Sequence, residues 1–163
     1  MRGKDIFNDY INKSATELRE HVARVVEMCI EFSENMNLND AKKELLIDAA
    51  WLHDIAKFDN DDEHNKKKHV EAAVKQVSKE KELSAICEII KAHKGKFKPS
   101  EEYKLEAAIL RICDKLDRFN KKKEDASEKC IDSMEKINEK IPQLPKEFDD
   151  TYKSFQKKLN PKK

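Results

Sequence analysis

Ala49-Ala50-Trp51-Leu52-His53-Asp54-Ile55-Ala56-Lys57 is the stretch that decides how this chain is read. The residues leading into it (Leu45, Leu46, Ile47, Ala49, Ala50, Trp51, Leu52) form an apolar helical run that ends on a His-Asp doublet. An imidazole beside a carboxylate at the end of such a helix is costly to bury unless something uses the pair. A divalent metal ion is the usual use, because adjacent His and Asp side chains both reach one ion where a helix stops. Working outward, the chain offers His21 upstream, His69 and His93 downstream, and Asp114 further on.

The composition agrees with helices around such a centre. The 163 residues suffice for one domain with a real core, and only two glycines and four prolines argue against a turn-rich sheet protein. Charged residues make up 41% of the chain, yet they cancel to a formal +1. That balance disfavours a dedicated nucleic-acid binder. No apolar run approaches the roughly 20 residues a membrane span needs, and the sequence opens without a signal peptide. Cys29, Cys87, Cys113 and Cys130 are scattered without ligand spacing and read as core thiols. A reducing, cytoplasmic setting is the expectation.

Hydrophobic periodicity places the candidate ligands. A short leading helix is expected over 4–11, then a capping box at Ser14-Ala15-Thr16-Glu17. The helix that follows carries Leu18, His21, Val22, Val25, Val26, Cys29 and Ile30 at three- and four-residue steps, which puts His21 on the inner stripe. Residues 35–39 break the pattern, and Asp40 is the expected cap of the helix ending at His53. A polar connector follows at 58–63. His69 opens one further helical face and His93 closes the next. The segment 94–100 reads as a loop, and 105–119 resumes a helix containing Asp114. Residues 126–141 give another amphipathic helix, stopped by Pro142 and Pro145, and 157–163 is expected to fray. The result is an all-α, compact single-domain helical bundle over 1–163, with its core at about 15–120.

Inward groups on separate helices can converge on one site in a bundle core. Imidazoles mixed with carboxylates suit iron or manganese foremost, with zinc, nickel, cobalt or magnesium as alternatives. Six ligands exceed what one ion with room for water and substrate requires. They fit two ions better, with Asp54 as a bridge.

The order His21, His53-Asp54, Asp114 resembles the HD-domain superfamily of metal-dependent phosphohydrolases, over about residues 15–120. Ala50-Trp51-Leu52-His53-Asp54-Ile55-Ala56-Lys57 is similar to the family's Ala-x-Leu-His-Asp-Ile-x-Lys core. Ile112-Cys113-Asp114-Lys115-Leu116-Asp117 is similar to its Ala-Asp-Lys-Leu-Asp segment, with Cys113 in place of alanine. The extra histidines resemble those of two-metal branches. These include diadenosine-tetraphosphate hydrolases, HD-GYP cyclic-dinucleotide phosphodiesterases and HD nucleases. The resemblance implies that His21, His53, Asp54 and Asp114 hold a first ion. It implies that His69 and His93 complete a second, with Asp54 shared. Lys94 stands where some branches repeat His, no Gly-Tyr-Pro signature exists, and Lys57 stands where guanosine-tetraphosphate hydrolases carry Glu-Asp. Small stand-alone hydrolases remain the best likeness.

Such a site would turn metal-activated water on a phosphoester or phosphoanhydride of a nucleotide or other small phosphorylated metabolite. Asp54 is the expected bridge and water-holding group, and Lys57, Lys94 and Arg118 are the expected phosphate contacts. Lys96 and Lys98 extend the loop after His93, where all three lysines read more readily as plain solvated charges than as a specific phosphate site. His64 reads as a surface residue, and Asp117 as a salt-bridge partner or an acid standing behind a ligand, in preference to a ligand itself. The alternatives are a regulatory metal- or nucleotide-binding module without turnover, a metal-dependent nuclease, and a di-iron oxygenase built on the same ligand logic. Oligomeric state is open.

Overall fold

The computed structural model describes residues 2–10, 16–54, 80–93, 97–121 and 123–160. Among them the chain is all α: α1 (Arg2–Tyr10), α2 (Thr16–Asn35), α3 (Asp40–Leu52), α4 (Glu80–Ala92), α5 (Lys104–Leu116), a 3-10 turn (Asp117–Asn120), α6 (Lys123–Lys140) and α7 (Lys146–Leu159). Helix α3 is central and packs against α1, α2, α4 and α5. Helix α6 covers α5, while α7 lies against α2 and α5. None of these helices is long and apolar enough to cross a membrane. The expected capping box at Ser14, the connector at 58–63, the face opened by His69, and Lys57, His64, Lys94 and Lys96 lie outside the described residues.

The predicted stripes become the core. Val22, Val25, Val26, Cys29 and Phe32 of α2 meet Leu46, Ala49, Ala50 and Leu52 of α3 and Ile109, Ile112 and Leu116 of α5, all buried. Each large side chain removed from water contributes about 1.5–3 kcal/mol, which is what holds amphipathic helices this rich in charge. Cys29, Cys113 and Cys130 are buried free thiols and Cys87 is half-buried, in line with their reading as core.

Two local readings are corrected. Asn39, not Asp40, caps α3: its side chain accepts the Lys42 amide at 2.9 Å, and Asp40 becomes the first helical residue, where its charge suits the helix dipole. Just before it, Asn37 takes φ 54° and ends α2. The Leu38 amide reaches back to the Ser33 carbonyl and the Asn37 amide to that of Glu34, closing the helix in a Schellman motif. The second correction is at the C-terminus. Lys157, Lys158 and Leu159 do not fray but complete α7. That helix is held by Phe148 and Phe155, whose ring centroids lie 5.3 and 5.4 Å from that of Phe32.

One buried acid carries a testable cost. Glu106, in the first turn of α5, is 0% exposed, and neither carboxylate oxygen has a hydrogen-bond partner among the described residues. Burial raises its pKa above the ordinary carboxylate value, so its unfavourable contribution grows as pH rises through the folded-state value. Glu106→Met is expected to stabilise the chain by about 1–3 kcal/mol near pH 7. The gain should shrink as pH falls toward 4. Urea midpoints at the two pH values check this, and an equal or larger gain at acid pH would contradict it.

Candidate metal centre

The same local device appears twice at helix ends. His53 directly follows α3 and turns Nδ1 back on the Ala50 carbonyl at 2.6 Å. His93 directly follows α4 and turns Nδ1 on the Ile90 carbonyl. Each ring thereby satisfies a carbonyl that the last helical turn leaves open, and each is left with Nε2 facing outward from its helix. The two rings meet edge to face with centroids 5.2 Å apart. The ends of α3 and α4 thus come together, and α5 brings Asp114 to them from its last turn. Helix C-termini carry partial negative charge, so this is a place that favours a cation.

Helix α2 supplies the remaining donor. His21 Nε2 lies 3.1 Å from Asp54 Oδ2 and 3.1 Å from Asp114 Oδ1. His53 Nε2 lies 3.3 Å from each of the same two oxygens. All four donor atoms fall within 4.8 Å of one another. Ligands at about 2.1 Å from an ion stand about 3.0 Å apart at octahedral right angles and about 3.4 Å apart in a tetrahedron. The observed spacing therefore fits one divalent ion held by two imidazoles and two carboxylates. His53 and Asp54 are buried, at 3% and 2% exposure, so a cation here would sit largely out of water.

The electrostatics follow from that crowding. Burial alone would lower His21, yet its hydrogen bonds to Asp114, Asp117 and Asp54 raise it to about 11. Burial likewise opposes the charged form of His53, and the Asp54 charge with the Asp114 hydrogen bond raises it to about 10. Burial acting against them, Asp54 and Asp114 are nevertheless held well below the ordinary carboxylate range by the histidines. His93 goes the other way. Burial and the neighbouring His53 charge lower it to about 3, so it is a neutral imidazole. Its Nε2 is buried and without a hydrogen-bond partner among the described residues. A bare ring nitrogen beside this cluster is a ligand atom in waiting.

Residues 18–118 match the family described as HD domain. The chain belongs to the HD-domain family. Neither a curated protein nor a solved structure matches it.

Of the candidates predicted from this HD domain's sequence, His21, His53, Asp54 and Asp114 form the cluster, and His93 stands beside it. His69, Lys57 and Lys94 lie outside the described residues. Arg118 falls beyond the end of α5, on the 3-10 turn, and its guanidinium lies 3.5 Å from Asp125. Three neighbours complete the picture. Asp117 bonds both His21 and Arg24, and Lys115 Nζ lies 3.5 Å from Asp114 Oδ2. Arg24 and Lys115 were not among the predicted site residues. Spacing held the signal for the first: Arg24 is three residues from His21 and Asp117 three from Asp114, so each pair shares a helix face.

Proposed function

We propose that this HD-domain protein is a metal-dependent phosphohydrolase. Its substrate would be a nucleotide or another small phosphorylated metabolite, cleaved at a phosphoester or phosphoanhydride bond. The observation that carries this reading is the four-donor cluster of His21, His53, Asp54 and Asp114 at the spacing of one ion's ligands. A divalent ion held there would polarise a phosphoryl group and bring the pKa of a water toward neutrality. Two carboxylates and two imidazoles leave such an ion hard enough for phosphate oxygens, with iron or manganese the foremost choices. The unpartnered Nε2 of His93 supports a second ion, which His93, His69 and Asp54 would hold.

The chain's own groups then have distinct tasks. Asp54 anchors the site from the end of α3 and orients water through its carboxylate. Lys115 places an ammonium beside Asp114, where it would offset the charge of a bound phosphate. Lys57, Lys94 and Arg118 remain the proposed outer phosphate contacts. A near-neutral chain suits a small anion more than a nucleic-acid polyanion.

The test is release of phosphate or nucleotide from a panel of nucleoside monophosphates, dinucleoside polyphosphates, cyclic nucleotides and single-stranded DNA. Anaerobically purified protein with added Fe2+ or Mn2+ is expected to turn over at least one small phosphorylated compound. Bound metal with no turnover on any member would instead make this a regulatory module. Activity confined to DNA would make it a nuclease.

A further inference from the structure

Behind His21, on the side away from the four donors, the side chains form an ordered chain. His21 Nδ1 lies 2.7 Å from Asp117 Oδ2. Arg24 grips both oxygens of that carboxylate, with Nε 2.5 Å from Oδ1 and a terminal nitrogen 3.1 Å from Oδ2. Asn120 Nδ2 adds a bond to Oδ1 at 3.0 Å. Four donors thus meet one carboxylate, which has about four lone-pair positions to offer. Asp117 is fully committed. It has no free oxygen to give an ion, although it stands only three residues from Asp114. The arrangement spans α2 and the 3-10 turn, so it ties the His21 helix to the segment that follows the Asp114 helix.

We propose that Asp117, held by Arg24 and Asn120, is a positioning residue that keeps the proton on His21 Nδ1 and so presents Nε2 to the metal. The inference rests on the metal-centre reading above and adds the group that makes His21 a ligand of fixed tautomer and fixed orientation. His53 and His93 solve the same problem with a backbone carbonyl at a helix end. His21 cannot. It sits inside α2, where the carbonyls three and four residues back are engaged in the helix, so its partner must come from another element. A carboxylate is a stronger acceptor than a carbonyl and raises the ligand's basicity. Arg24 sets the limit on that effect. By stabilising the charge on Asp117 it keeps the proton on the imidazole and off the acid.

Zinc is a suitable probe because it is diamagnetic and binds this donor set. The experiment combines Zn2+ competition titrations with long-range proton–nitrogen NMR on the zinc-loaded full chain. Wild type is expected to show protected, low-field Nδ1 protons for His21, His53 and His93. Asp117→Ala should weaken zinc binding about 10–100-fold and lose the His21 signal, leaving those of His53 and His93 in place. Asp117→Asn, which keeps an acceptor without the charge, should fall between the two and guards against a variant that fails to fold. A purely structural role would lower the melting temperature of the metal-free protein without moving either readout. Zinc affinity within threefold of wild type, with the His21 signal retained, overturns the proposal. Wild type that binds no zinc overturns the metal centre and this relay with it. Absence of hydrolysis touches neither result, because both readouts are of binding.

Discussion

Asp54→Ala is expected to lower metal-dependent turnover by at least about 1000-fold and to strip the protein of most of its bound metal. Asp54 Oδ2 is the atom that both His21 Nε2 and His53 Nε2 face, so its loss removes one of four donors and half of the carboxylate charge. An ion left with two neutral imidazoles and Asp114 would carry uncompensated charge in a site almost closed to water. The fold should survive. Asp54 comes after the last turn of α3, so no helical hydrogen bond depends on its side chain. The histidines it had supported can shed their protons instead of remaining as bare buried cations. Metal content by elemental mass spectrometry, circular dichroism and phosphate release decide the matter. Full turnover with full metal content in this variant would remove the proposed site.

How far the sequence foretold this arrangement depended on how local each signal was. The His53-Asp54 doublet after an apolar helix, and His21 on an inner stripe, are one-dimensional patterns, and the fold kept them. Asp114 was legible because its neighbours Ile112, Cys113 and Leu116 mark a buried face. Helix α7 was missed because charge dilutes its stripe: Phe148, Tyr152 and Phe155 stand among lysines and acids, and Phe32, which the two phenylalanines meet, is over a hundred positions away. The cap at Asn39 lost to Asp40 on paper because both residues are good caps, and only the backbone shows which side chain meets the Lys42 amide. The Arg24–Asp117–His21 chain depends on α2 and the 3-10 turn crossing at one height. Spacing within each helix hinted at pairs but not at their meeting. His93 needed the structure too, because nothing in its sequence context says that its second nitrogen would be left bare.

Metal binding should release about two protons per ion near pH 7, and affinity should climb about 100-fold per pH unit up to the alkaline range. The reason lies in charge. Without metal, Asp54 and Asp114 are ionised and face His21 and His53, whose pKa values are raised to about 11 and about 10. Two carboxylates with two imidazoliums are neutral. One divalent ion with two carboxylates and two neutral imidazoles is neutral as well. The exchange therefore leaves the net charge of a buried site unchanged, and its cost is the removal of two protons. The carboxylates contribute none, since they are held ionised well below neutrality. His93 contributes none either, because it is already neutral, its value being about 3. The sign for stability is opposite. A histidine whose folded value is raised stabilises the metal-free chain fully below its ordinary value of 6.5, and that contribution is lost as pH rises through 10 to 11. Raising the pH should thus weaken the metal-free protein while tightening its hold on metal, so the stabilisation that metal confers grows at the alkaline end. Calorimetric titration with Zn2+ in buffers of different ionisation heat measures the protons directly, and melting curves with and without metal at pH 7 and 9 measure the divergence. Binding that released no protons and kept one affinity across that range would mean that the imidazoles are neutral beforehand, and that the cluster is held together by something other than the charge balance drawn from its distances.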